Sequence, residues 1–188
     1  MKDLNLFKTK DSVYLREVSS KEDVLTDLDS DGFLIRASEK IARSIIASLK
    51  DKKFFGKIGI YGGDDAFNRR VVESLKIDYL ISVESLTKFD NLKQRDSGLN
   101  HVVAKMMEDK GVGVVVDMSA ISKLSGKVKA ERIARVIQNV KVCRKVGCRV
   151  LIGSLAKDKK GLFDLKGRQS FGVGVGMSSG EVVKSVEF

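Results

Sequence analysis

The feature that most constrains this chain is an alternation repeated along its length. Short apolar segments rich in β-branched residues are each followed by a longer run with helical spacing. Residues 13–18 alternate between apolar and polar and read as a strand. Residues 32–36 (Gly-Phe-Leu-Ile-Arg) read as a second, 57–61 as a third closed by Gly62-Gly63, and 78–83 as a fourth. Residues 112–118 are apolar without alternation, the mark of a parallel strand buried on both faces, and 149–153 read as another. Between them, Ser38 is expected to cap a helix that turns Ile41, Ile45, Ile46 and Leu49 inward. Asp64 caps a run carrying Phe67, Val71, Val72 and Leu75, and Ser97 opens a helix through Lys110 that Gly111 stops. Residues 127–145 present Ala130, Ile133, Ala134, Ile137 and Val140 as one apolar stripe, closed by Gly147. A helix near 161–168, a glycine-rich turn and a last helix from Ser179 complete the chain.

Strand-then-helix order predicts parallel strands joined by right-handed crossovers. Six or seven such units either close as a small (β/α) barrel or lie open as a doubly wound sheet, and periodicity does not choose between them. At 188 residues the chain is short against the roughly 250 typical of a barrel. It shows no internal repeat, low-complexity tract or linker, so residues 1–188 are expected to form a single domain.

Hydrophobic residues at 43% and charged residues at 32% exclude a disordered tail. The longest uncharged apolar run, residues 112–116, is too short to cross a membrane, and the opening Met-Lys-Asp-Leu-Asn lacks an apolar signal core. A cytoplasmic protein without membrane partners is expected. Cys143 and Cys148 are expected as buried thiols rather than a disulfide, and a single His leaves no ligand set for zinc. Proline is absent, so Gly, Asn, Asp and Ser supply all the turns.

The net charge of +10 is unevenly placed. Residues 1–31 hold five Lys/Arg against eight Asp/Glu, whereas residues 121–170 hold 14 basic and 3 acidic residues. Basic charge concentrated on part of a folded domain suits a polyanionic partner, although a lysine-rich solvated surface would show the same composition.

Few residues offer intrinsic chemistry. Gly172, Gly174 and Gly176 lack the dinucleotide spacing and read as a turn. Gly62-Gly63 lies at a strand-to-helix junction, but Asp64 and Asp65 occupy the helix start and would repel phosphate. Glu84, Asp117 and Ser154 fall near strand ends, where barrel enzymes place catalytic groups; no nucleophile–base–orienter set can be built from them. No catalytic and no metal-ligating residue is therefore assigned. Arg95 offers a planar fork for phosphate or a base edge, with His101 and Lys105 around the same loop-to-helix junction; capping by Asp96 or Ser97 is the alternative role for that junction. On the basic helix, Arg132 and Arg135 are expected to project away from the apolar stripe toward phosphates. Lys141 and Arg144 sit in its last turn, where the helix dipole also favours cations. Lys123 and Lys157, with Lys159 and Lys160, follow strands in loops. Few aromatic residues interleave these charges, which favours shape and backbone recognition of folded RNA over base stacking.

The block Arg95-Asp96-Ser97-Gly98-Leu99-Asn100-His101-Val102, followed by an apolar strand ending Asp117-Met118-Ser119, resembles protein component 3 of archaeal ribonuclease P. The eukaryotic counterpart of that family is the thirty-kilodalton subunit of nuclear ribonuclease P. Asn68-Arg69-Arg70-Val71-Val72-Glu73, the basic helix with Arg132 and Arg135, and Val150-Leu151-Ile152-Gly153-Ser154-Leu155-Ala156 follow in the family's order, from about Tyr61 onward. The resemblance implies a single-domain (β/α) TIM-like barrel related to the polymerase-and-histidinol-phosphatase barrel, without its metal-binding histidines. It implies a subunit that binds the catalytic RNA, with a small protein partner subunit, while the RNA removes 5′ leaders from precursor tRNA. Precursor tRNA is then met indirectly, the polypeptide alone is not catalytic, and magnesium is used by the RNA while the protein binds no cofactor. A metal-dependent phosphoesterase on the same barrel and a protein-partner scaffold with little RNA contact remain the alternatives. The chain is shorter than the family norm, and Phe163-Asp164-Leu165-Lys166 stands where an arginine-and-proline motif is expected.

Overall fold

Every strand pair in the computed structural model is parallel, and the strands lie side by side in chain order. The structure describes residues 2–24, 30–85 and 96–188. The strands are β1 (Asp3–Asn5), β2 (Ser12–Val18), β3 (Gly32–Ile35), β4 (Lys57–Tyr61), β5 (Tyr79–Ile81), β6 (Gly113–Asp117) and β7 (Val150–Gly153). The two ends of this sheet meet. Leu155 N–H donates to Leu4 C=O at 2.8 Å, and Leu6 N–H donates to Ala156 C=O at 2.9 Å, so β1 pairs with the extension of β7. The choice that periodicity left open is settled as a nearly closed barrel.

The barrel fits into 188 residues because its first crossovers are abbreviated. Residues 6–11 join β1 to β2 without a helix, and the described part of the next connection holds only a 3₁₀ turn at Glu22–Val24. Full helices then follow: α1 (Glu39–Asp51), α2 (Asp65–Ser74), α3 (His101–Asp109), α4 (Met118–Ser122), α5 (Gly126–Val146), α6 (Leu165–Gly174) and α7 (Ser179–Ser185).

Strand alternation divides the core into an inner and an outer layer. In β3, Leu34 joins Leu4, Leu15, Ile81, Val115 and Leu151 inside the barrel, while Phe33 and Ile35 face the helices. In β6 both faces are buried, which is why that strand reads as a continuous apolar run. Each such side chain contributes about 1.5–3 kcal/mol on burial. The narrow barrel needs small residues inside. A Cβ on Gly59 would lie 2.9 Å from the Ile81 side chain, and one on Gly113 would lie 3.0 Å from Leu151.

Several elements differ from their sequence expectations. β1 had no apolar signature, because Asp3 and Asn5 are buried polar residues. Ser38 stands at the start of α1 without capping it, and Ile41 is 43% exposed while Ala42, Ile45, Ser48 and Leu49 face inward. Helix α3 begins at His101, capped by Asn100 Oδ1 accepting from Val103 N–H at 3.0 Å, not at Ser97. The stripe of α5 is rotated: Arg135, Val136, Asn139, Val140 and Cys143 are buried, while Ala130 is exposed. The glycines 172 and 174, expected in a turn, lie within α6, where Gly172 allows Ile152, Met177 and Val182 to approach. Cys143 and Cys148 are free and buried.

Candidate nucleic-acid interface

Inward-facing positions at the C-terminal ends of the strands carry polar side chains in place of leucine. Arg36, one residue beyond β3, lies with its guanidinium 3.7 Å from the Tyr61 ring centroid. Its Nε donates to Glu17 Oε1 at 2.8 Å, and Lys157 Nζ reaches Glu17 Oε2, also at 2.8 Å. Burial first, then the Asp117 carboxylate, pushes the Tyr61 hydroxyl up to about 12. Asp117 ends β6 and caps α4, its Oδ1 accepting from Ala120 N–H at 2.8 Å. Burial, reinforced by the field of Glu84, raises Asp117 to about 6. Glu84 is 1% exposed and is raised by the same desolvation; Arg132 Nε donates to its Oε1 at 3.3 Å, and its Oε2 has no partner among the described residues. Ser82 and Leu155, just beyond β5 and β7, hold left-handed backbone at φ 55° and 48°. Strain of this kind collects where a fold positions functional loops.

The cations of this mouth, Arg36 and Arg132, are already paired with Glu17 and Glu84, which leaves it poorly suited to hold an anion. It gathers Glu84 and Asp117 as the strand-end positions suggested, but Ser154 does not join them. Ser154 Oγ accepts from Phe163 N–H at 2.9 Å and anchors the chain after β7. Among the described residues, no group of three or more His, Cys, Asp and Glu side chains is placed to hold a metal ion.

Free positive charge lies on the rim. Ser119 Oγ donates to Gly161 C=O at 2.9 Å, locking α4 against the turn at Lys159–Gly161. Lys123, one turn beyond Ser119, therefore shares the C-terminal face with Lys157, Lys159 and Lys160, and all four are exposed. Lys157 remains 64% exposed despite its pairing with Glu17.

The other candidates scatter. Arg95 lies outside the described residues. His101 is exposed at the start of α3, and Lys141 is exposed on α5. Lys105 is exposed but held by Glu108 at 2.6 Å and Asp109 at 2.9 Å. Arg144 donates to Glu181 and to Gly176 C=O, tying α5 to α7. The expectation that Arg132 and Arg135 project away from the buried face is overturned. The Arg132 side chain is 13% exposed against Glu84, and Arg135 is 7% exposed on the packed face of α5. The rotation of α5 toward Val136 and Val140 carries both inward.

The loop of the Arg95 block is built from the same interior. Asn68 Nδ2 donates to Gly98 C=O at 2.8 Å and Asn139 Nδ2 to Ser97 C=O at 3.0 Å. Gly98 holds φ +74°, where a Cβ would lie 2.0 Å from Val83 O. Asn139 did not stand out in sequence, and Asn68 did so only as part of the family block, since nothing local marks a polar residue whose partner lies 30 or 42 positions away.

No family model matches the chain. Its curated relatives nevertheless agree. Ribonuclease P protein component 3 of Methanocaldococcus jannaschii is 28% identical over 153 residues, covering 77% of this chain and 63% of that one. The protein of the same name from Methanococcus vannielii is 30% identical over 105 residues, covering 56% and 42%, and that of Methanococcoides burtonii is 27% identical over 105 residues, covering 56% and 40%. This chain is similar to ribonuclease P protein component 3 of several archaea. It spans about half the length of the curated relatives it matches. Among solved structures, a chain in archaeal ribonuclease P with mature tRNA superposes with a TM-score of 0.58 at 20% identity, over 91% of this chain and 86% of that one. A prolidase complexed with N-methylphosphonate-L-proline gives 0.61 at 12% identity, over 88% and 43%. At such identities these likenesses establish the barrel fold alone.

Proposed function

We propose that this chain is an RNA-binding protein subunit of ribonuclease P that holds the catalytic RNA in its active shape during 5′-leader removal from precursor tRNA. The observation that carries this is the agreement of the component 3 relatives in name and sequence. The geometry supports it from a second side. At the barrel mouth Glu17 and Glu84 pair with Arg36 and Arg132, while Lys123, Lys159, Lys160 and, despite its own ion pair with Glu17, Lys157 face solvent. Lysines so placed neutralise phosphates, release counterions and bind backbone without reading sequence. The RNA would supply catalysis and bind the magnesium, a small protein subunit would share the particle, and precursor tRNA would be met through the RNA.

The test is precursor-tRNA cleavage by the cognate ribonuclease P RNA at limiting magnesium, with the other protein subunits present and this chain added or omitted. Cleavage that rises only when RNA and chain are both present supports the subunit role; no effect of the chain overturns it. Cleavage by protein without RNA would return catalysis to Asp117 and Glu84.

A further inference from the structure

Phe55 is 94% exposed, more than any other large apolar side chain among the described residues. The turn that carries it leaves the ring no inward path. Lys53 adopts φ 53°, Phe54 N–H donates to Leu49 C=O at 3.0 Å, and the Phe54 ring packs edge-on to Phe33 at 4.9 Å. Phe54 thus takes the core position. A Cβ on Gly56 would lie 2.2 Å from the Phe54 ring, and Lys57 N–H donates to Asp31 C=O at 2.9 Å to open β4. With both flanks pinned, Phe55 is displayed rather than merely left uncovered.

Beside it lies an open hollow of about 480 Å³ with Ile46, Leu49 and Ile58 in its lining. Lys50, Lys53 and Lys76 are exposed around it. The carboxylate that lines it, Asp78, is already engaged by Lys57 Nζ and by Ile58 N–H, each at 2.9 Å.

We propose that this hollow is a stacking site for an unpaired RNA nucleotide, with the base on the Phe55 ring and the flanking phosphates at Lys50, Lys53 and Lys76. An exposed aromatic face accepts any base, and lysines around it follow the backbone. Protein partners fit less well, because lysine is depleted from protein–protein interface cores. A single ring over a small apolar floor also falls short of the roughly 800 Å² per partner that a stable protein interface covers. The inference rests on the RNA-binding role and adds a second contact region. Phe55 lies at the N-terminal end of the strands, opposite the Lys123 and Lys157 loops, so an RNA touching both would run along the outside of the barrel.

The probe is a single-stranded oligoadenylate of about eight nucleotides carrying one 2-aminopurine, mixed with the full chain at low salt. Phe55→Ala should weaken binding about tenfold and abolish 2-aminopurine quenching, with an unchanged melting temperature. Phe55→Tyr, which keeps the ring, should retain both signals. Equal binding by Phe55→Ala, equal loss in both variants, or no binding by the parent overturns the site. So does unchanged oligonucleotide binding with lost association of a second ribonuclease P protein, which would make the hollow a protein contact. The probe is not ribonuclease P RNA and the readout is not cleavage, so failure of the subunit role and failure of the stacking site are seen separately.

Discussion

Arg132 places its Nε 3.3 Å from Oε1 of Glu84, a carboxylate that is 1% exposed and whose other oxygen has no partner among the described residues. The pair joins α5 to the turn after β5 and accounts for an arginine that would otherwise read as a phosphate contact. Removing one partner of a buried ion pair strands the other charge, at about 3–5 kcal/mol. Arg132→Ala should therefore lower the unfolding free energy by that order, read as a lower urea midpoint, and the double replacement Glu84→Gln with Arg132→Met should recover part of it. An unchanged midpoint with weakened RNA affinity would restore the phosphate-contact role expected from sequence.

Asp117 supplies a pH-dependent prediction. Its folded value of about 6 lies above the roughly 3.9 of an unfolded Asp. The folded state therefore binds this proton more tightly, and the associated stability is fully present below about pH 4 and lost as pH rises through 6. A shift of that size is worth on the order of 2–3 kcal/mol. Asn at this position can still accept from Ala120 N–H while carrying no charge. Asp117→Asn should be more stable than the parent at pH 7.5 and no more stable at pH 4. The same advantage at both values, measured by urea unfolding, would show that proton binding at Asp117 is not the cause.

The seam between β1 and β7 depends on Asp3. Its Oδ1 accepts from Ser154 N–H at 3.0 Å and lies 3.1 Å from Nη1 of Arg168, which is buried on α6. Asp3→Ala leaves that guanidinium unpaired and should cost about 3–5 kcal/mol. Asp3→Asn, which keeps the acceptor, should cost less. Amide exchange at Ser154 and Leu155 should accelerate in the Ala variant beyond the rest of the barrel; a uniform change would place the damage elsewhere.

Gly98 tests the loop of the Arg95 block. Its positive φ and the 2.0 Å approach to Val83 O leave no room for a methyl group. Gly98→Ala should destabilise by more than about 2 kcal/mol, since backbone and space both oppose it. A stable variant would mean that the loop relocates without loss.

Sequence revealed strands by a run of mostly apolar residues, as in β4, whose bounds of Lys57–Tyr61 match the expected ones, or by alternation, as in β2. β1 stayed hidden because two of its three residues are buried as hydrogen-bond acceptors, Asp3 from Ser154 N–H and Asn5 from Ala156 N–H, rather than as apolar side chains. Barrel closure was equally hidden, since the Leu155-to-Leu4 bond joins residues at opposite ends of the chain. On α5, apolar content showed a helix but not its orientation: Arg135 and Asn139 share the buried face with Val136 and Val140. At the mouth, Arg36 and Tyr61 were readable in principle, because each continues the inward parity of its strand. Their meeting was not, since it depends on the register that pairs β3 with β4.

Local ion pairing separates exposed cations from those already engaged. Lys123, Lys159 and Lys160 are exposed, and Lys157 is only loosely held by Glu17 at the solvent edge, where an ion pair is worth little and is readily exchanged for a phosphate. Lys105 is instead clasped between Glu108 and Asp109, whose charges would repel a phosphate from it. Replacing Lys123, Lys157, Lys159 and Lys160 together by Gln should leave the melting temperature unchanged. It should also flatten the dependence of log affinity on log salt by about 0.7–0.9 for each phosphate that is no longer neutralised. Lys105→Gln should leave that slope alone. If Lys105→Gln flattens it and the quadruple replacement does not, the RNA lies against α3 and the exposed C-terminal loops are a solvated face.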